Sequence, residues 1–162
     1  MTIRELEKKI PSLFALLTTK NANGSQVSNN VMAISWWTIS SNNPPRIIAC
    51  VGKRSLSNEN IARDGIFALN LMNEKYSEIG IECGSASGRV KDKISEFGLD
   101  VQESENGIPL IKEANYSLEC KVAEIHESGD HSVFLADVIN VVENKNEKVL
   151  LAFDGYSSLK SI

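Results

Sequence analysis

The chain is expected to fold mainly as antiparallel β-structure, closed or nearly closed into a barrel. Three observations carry this. Ser117 to Ile125 alternates apolar and polar residues, the mark of a strand with one wet face. Asn21-Ala22-Asn23-Gly24-Ser25 and Gly129-Asp130 each sit between two strand-like runs, which makes hairpins of them. The stretches with helical character are few and short, and closure removes the exposed edges that strands of this length would leave.

In chain order, Thr2-Ile3-Arg4-Glu5 fits a capping box opening a short helix, with Leu6 and Ile10 on one face and Pro11 as its stop. Ser12 to Lys20 is a strand that returns as Val27 to Trp37. Pro44 and Pro45 hold the next connection extended and keep helix out of it, and Arg46 to Val51 is the apolar, β-branched run of a buried strand. Ser57 or Asn58 caps a helix that continues through Glu59 to Asp64 and stops at Gly65. Ile66 to Leu71 is a further strand. Glu74 to Ile81 is a short amphipathic helix, Cys83 to Arg89 a loop of small residues, and Asp92 to Phe97 a helical turn ended by Gly98. His131 to Val142 and, last, Val149 to Phe153 complete the strands. Nothing repeated, linker-like or of low complexity divides the chain, so residues 1–162 are expected to form one domain.

The totals exclude several classes. A hydrophobic share of 42% with 23% charged residues supports a packed core and argues against extended disorder. Seventeen Lys and Arg stand against 21 Asp and Glu, a formal charge of −4; with no basic stripe among aromatics, nucleic acid is not an expected partner. Met1 to Lys9 lacks the apolar core of a signal peptide, and no apolar run approaches a membrane span. A cytoplasmic protein without membrane attachment is the expectation. Cys50, Cys83 and Cys120 are odd in number and widely spaced, so neither a disulfide framework nor a zinc site is expected.

Catalytic motifs are thin. Gly84-Ser85-Ala86-Ser87-Gly88 misses the nucleophile elbow because Ala86 holds the central place. His126 and His131 have no metal-ligand spacing, and neither a Walker loop nor G-x-G-x-x-G occurs. Cys83 reads as an inert buried thiol rather than a reactive one. His131 fits a histidine satisfied at a strand end by Asp130 or by backbone. The segment Lys53-Arg54-Ser55-Leu56-Ser57-Asn58 puts cations and hydroxyls at a helix start, where unpaired N–H groups attract anions. On its residues alone that turn fits either a phosphate site or a capped surface helix.

Four motifs in order resemble the flavin reductase-like proteins of the FMN-binding split-barrel fold. They are Asn30-Val31-Met32-Ala33-Ile34-Ser35-Trp36; Ser41-x-x-Pro44-Pro45 followed by Lys53 and Ser57; Ser87-Gly88-Arg89-x-x-Asp92-Lys93; and Gly129-Asp130-His131. The resemblance covers essentially the whole chain. It implies an antiparallel Greek-key split β-barrel with a few short helices, binding FMN and taking hydride from NADH or NADPH. It also implies a homodimer that passes electrons to an acceptor protein or a monooxygenase. An FMN-holding electron carrier without a nicotinamide site is the alternative, and a flavin-free module on the same fold a third.

The resemblance implies that Asn30, Met32, Ala33, Ile34, Ser35 and Trp36 lie at the flavin, with the ring on Met32, Ala33, Ser35 and Trp36. It implies a phosphate held by Lys53, Ser55 and Ser57, with Arg54, Asn58 and Arg89 in the same site, and His131 beside the flavin as the catalytic residue. That division suits a flat apolar ring with one hydrogen-bonding edge and a charged tail. The turn offers room for one phosphate and no stretch resembles an adenine site, so FMN is expected rather than FAD. Ala33 replaces the family's usual Thr and Ile34 its small Ala; the lost hydroxyl partner would cost about 1 kcal/mol. Trp36 and Trp37 cannot both face one core, because neighbouring strand residues point to opposite faces; one of them is expected to meet a partner subunit.

Overall fold

The computed structural model describes residues 1–155 and 157–161. In chain order the elements are α1 (Ile3–Glu7), β1 (Ser12–Leu13), β2 (Ala15–Lys20), β3 (Asn29–Ile34), β4 (Trp37–Asn42), β5 (Pro45–Gly52), α2 (Leu56–Asp64) and β6 (Ile66–Leu71). A one-turn 3₁₀ helix (Glu74–Tyr76) leads into α3 (Ser77–Ser85), then α4 (Lys93–Glu96), β7 (Val101–Glu103) and β8 (Pro109–Ile111). The long strands β9 (Tyr116–Ser128) and β10 (His131–Glu143) precede β11 (Leu150–Phe153) and β12 (Ser158–Ser161). The expected mainly β, antiparallel architecture is borne out.

Seven strands form one sheet in the order β3-β2-β6-β9-β10-β5-β4. Its two edge strands, β3 and β4, are consecutive in the chain and joined by only Ser35 and Trp36. Three Cα steps reach at most about 11 Å, so the sheet must curl until its edges meet there. The interior of that curl is filled by Leu17, Ile34, Trp37, Ile47, Phe67, Leu69 and Phe134. Both faces of β2 are buried, because Phe14, Leu16, Val31 and Ala33 pack outward under Met72, Cys83, Leu150 and Leu159. Among the described residues no helix is long and apolar enough to cross a membrane.

Several boundaries differ from the sequence expectation. Phe14 interrupts the first strand, and the second ends at Ile34 and restarts at Trp37 after the link that closes the sheet. The Pro44-Pro45 connection is a tight hairpin of β4 and β5, with a cis peptide bond at Asn43-Pro44. Neither Ser57 nor Asn58 caps α2; Ser55 does, its Oγ accepting from the Asn58 N–H at 3.1 Å. The cause is the turn from β5, where Ser55 N–H bonds Gly52 O at 3.0 Å and starts the helix two residues early. Cys83, Gly84 and Ser85 belong to the last turn of α3 rather than to a loop. The capping box at Thr2 forms, yet Leu6 and Ile10 remain exposed. Strands β7, β8 and β12 were not anticipated.

Candidate functional site

A cavity of about 270 Å³ opens between β3, the β5–α2 turn, the end of α3 and its following loop, and the start of β10. Asn30, Met32 and Ala33 line it from β3, Ser55, Leu56 and Ser57 from the turn, and His131 from β10. Two hydrogen-bonded couples frame it. Asn30 Nδ2 donates to Ser57 Oγ at 2.9 Å, with both side chains buried. His131 Nδ1 lies 2.7 Å from Asp130 Oδ1, and the imidazole holds that carboxyl below its ordinary range.

The β9–β10 hairpin sets the position of His131. Gly129 has φ +57°, a conformation that glycine adopts without a Cβ penalty, and the chain reverses there so that His131 pairs with Gly52. Lys53 N–H bonds Asp130 O at 3.0 Å, tying the β5–α2 turn to the hairpin. The imidazole then meets Trp36 with ring centroids 4.7 Å apart and planes at 37°, while Trp36 Nε1 donates to Glu7 Oε1 at 3.2 Å.

Gly88 closes the other wall. A Cβ there would stand 2.0 Å from Asn30 Oδ1, so only glycine lets the loop approach β3 this closely.

Lys93 lies against the same cavity and is 4% exposed. Its ammonium donates to Ala86 O at 3.2 Å and to Cys83 O at 3.5 Å, the carbonyls at the end of α3. Among the described residues no carboxylate pairs with it in an ion pair. Burial pushes its pKa down, because a desolvated cation is disfavoured. A buried cation held only by carbonyl oxygens suits an anionic group entering the cavity. The donor set of the Asn30 amide, the Ser57 hydroxyl and this cation fits a phosphorylated ligand, while the Ser55 hydroxyl is spent on Gly52 O at 2.8 Å; Met32, Ala33 and Leu56 offer apolar contact. The site therefore fits a flavin mononucleotide. Cys83 is chemically quiet, its thiol pushed up to about 11 by burial.

Of the residues assigned from sequence, Asn30, Met32, Ala33, Ser55, Ser57 and His131 come together at the cavity. Trp36 reaches it through His131. Ile34 does not line it: the side chain is 1% exposed inside the curled sheet. Ser35 is buried in the link. Lys53 is turned away by an ion pair with Glu127 on β9. Arg54 is exposed, its carbonyl accepting from Arg89 Nε at 3.4 Å. Asn58 is consumed in holding α2 on β5, donating to Val51 O at 2.9 Å. Arg89 stands at the outer edge, bonded to Glu59 at 3.0 Å. Sequence reasoning missed Lys93 as a site residue, although it ends the Ser87-to-Lys93 motif.

The flavin reductase like domain matches residues 7–160. A flavin reductase of Pseudomonas putida is 29% identical over 81% of this chain and 75% of its own length. The reductase subunit HsaB of a flavin-dependent monooxygenase from Rhodococcus jostii (strain RHA1) is 31% identical over 69% of this chain and 55% of its own. The chain spans about half the length of several of the curated relatives it matches. The structure of flavoredoxin from Methanosarcina acetivorans superposes with TM-score 0.82 at 27% identity, covering 94% of this chain and 85% of that one. With nearly its whole length matched and a flavin-compatible cavity at the quoted motifs, the chain belongs to the flavin reductase-like domain family.

Proposed function

We propose that the protein is an FMN-binding flavin reductase that takes hydride from NADH or NADPH. The carrying observation is Lys93, a buried cation without a carboxylate partner among the described residues, set beside Asn30, Ser55 and Ser57. Asn30, Ser57 and Lys93 would hold the phosphate, with Ser55 capping the helix that carries Ser57 and Arg89 at the outer side. Met32 and Ala33 would contact the ring, with Trp36 behind His131. The redox chemistry comes with the bound flavin, which accepts hydride from dihydronicotinamide. His131 orients the nicotinamide over the ring, with its tautomer fixed by Asp130. The relatives named flavin reductase and monooxygenase reductase subunit support flavin reduction, and the second supports a monooxygenase as consumer of reduced flavin.

The test is reconstitution with FMN, followed by absorbance between about 350 and 500 nm and by NADH and NADPH oxidation with free flavin. Turnover with either donor is expected. Flavin held without turnover would instead mark an electron carrier, and a protein that takes up no flavin would overturn both readings.

The same reading includes a homodimer. Trp37 is 8% exposed and Trp36 39% exposed, so one tryptophan serves the core and its neighbour remains available to a second subunit. Light scattering at micromolar concentration is expected to give twice the chain mass, and a monomer mass would refute it.

A further inference from the structure

Trp36 sits in the short link between β3 and β4, and its backbone is fixed there: Cys50 N–H on β5 bonds Trp36 O at 2.8 Å. Two residues further along the same strand, Gly52 pairs with His131. Backbone pairing therefore brings the indole and the imidazole side by side, yet it leaves the indole free to turn about its own side-chain torsions. One hydrogen bond removes that freedom. Trp36 Nε1 donates to Glu7 Oε1 at 3.2 Å.

The helix that supplies Glu7 is not held by apolar packing. No residue of α1 is buried, and Ile3, Leu6 and, beyond its end, Ile10 are exposed. Glu7 is the one residue of α1 that is not fully exposed. Among the described residues, the other side-chain tie from this segment to the rest of the chain is Lys8 to Asp154, 3.9 Å between half-exposed groups, and a pair of that kind contributes little. Arg4 lies close enough to Asp130 to add its charge to the hold of the imidazole on that carboxyl. A helix with no packing of its own thus reaches both neighbours of His131, Trp36 through Glu7 and Asp130 through Arg4.

We propose that Glu7 is a positioning residue for flavin reduction, its carboxylate fixing the Trp36 indole as the wall that holds the His131 ring in place. The inference rests on the flavin reading above, in which His131 orients the nicotinamide. Asp130 pins Nδ1 at 2.7 Å, but a ring pinned at one atom still turns about that bond. The indole, with centroids 4.7 Å apart and planes at 37°, blocks the turn from one side. An indole released from Glu7 would not. The effect reaches the chemistry as orientation, and Glu7 touches neither flavin nor nicotinamide.

Stopped-flow reduction by NADH of the FMN-loaded parent, Glu7→Ala, Glu7→Gln, His131→Ala and the double variant Glu7→Ala/His131→Ala tests this. Glu7→Ala is expected to slow reduction about three- to tenfold, the size of one partly exposed hydrogen bond, with FMN affinity within about twofold of the parent. Glu7→Gln, whose amide oxygen accepts the same bond, is expected to restore the rate. The double variant is expected to be no slower than His131→Ala, because the effect passes through the imidazole. Acrylamide quenching of tryptophan fluorescence reads the same bond in the flavin-free protein. The chain has two tryptophans and Trp37 is buried, so the quenching reports Trp36; it is expected to rise in Glu7→Ala and not in Glu7→Gln. A Glu7→Ala protein reduced at the parent rate, a Glu7→Gln protein as slow as Glu7→Ala, or losses that multiply in the double variant would overturn the assignment. So would quenching that Glu7→Ala leaves unchanged. A parent protein that NADH does not reduce, with quenching still raised in Glu7→Ala, would overturn the flavin-reduction reading itself, and this inference with it.

Discussion

Asn30 and Ser57, 27 residues apart in sequence, are joined by a 2.9 Å hydrogen bond that ties β3 to the first turn of α2. Gly88 leans on the same amide. Three segments carrying the quoted motifs therefore meet at one buried side chain. Gly88→Ala would drive a Cβ into Asn30 Oδ1, and the amide can move only by giving up Ser57. Overpacking of this kind costs about 1–3 kcal/mol, a Tm loss on the order of 2–10 °C for a chain this size. Calorimetry on Gly88→Ala should find it, and an unchanged Tm would mean the loop yields freely.

The phosphate reading separates two residues that the sequence treats alike. Ser57 lines the cavity, whereas Lys53 is committed to Glu127 and lies outside the lining. Ser57→Ala should weaken FMN about tenfold, the loss of one charge-assisted hydrogen bond of roughly 1.5–3 kcal/mol. Lys53→Ala should change FMN affinity less than threefold, as an exposed charge does. Paired titrations decide it; a larger loss for Lys53→Ala would return the phosphate to that side chain.

The contrast between those residues shows what the sequence could carry. Strand alternation, turn residues and the capping box at Thr2 are local, and each was legible. The ordered motifs located the cavity walls at Asn30, Ser57, Gly88 and His131. What escaped depends on contacts distant in sequence. Lys53 and Lys93 are both basic residues inside quoted motifs, and only the fold decides that Glu127 draws one outward while the end of α3 buries the other. Ile34 sits one residue from Ala33, and the pleat sends it to the opposite face. The β7–β8 hairpin was invisible because its support is remote: Asn70 Oδ1 accepts from Ile111 N–H at 3.0 Å.

Lys93 gives a pH signature. Its folded pKa lies below the ordinary value of 10.5 because burial disfavours the ammonium. Between that lowered value and 10.5 the unfolded chain carries the proton and the folded one does not. Unfolded chains then bind more protons, and stability rises with pH across that window. Relative to Lys93→Met, the parent protein should therefore gain stability as pH rises toward 10.5. Thermal melts of both proteins between about pH 7 and 10 measure the difference; a gap independent of pH would show that the cation is not desolvated.

The last prediction concerns His131, which the structure ties down on two sides. Nδ1 is engaged with Asp130 at 2.7 Å, and the ring lies against Trp36. Nε2 faces the Gly52 side, 3.9 Å from where a Cβ on that residue would stand. Hydride transfer from nicotinamide needs no general base, so the imidazole is not expected to remove a proton in the slow step. Its held orientation suits a donor that positions the nicotinamide or stabilises charge on reduced flavin. His131→Ala should retain FMN within a few-fold and slow flavin reduction about ten- to a hundredfold, the size of one positioning contact. Asp130→Asn should slow it less, since the ring keeps a hydrogen-bond partner. Stopped-flow reduction of the FMN-loaded variants by NADH measures both rates. If His131→Ala is reduced as fast as the parent protein, the histidine serves only to end a strand against Trp36.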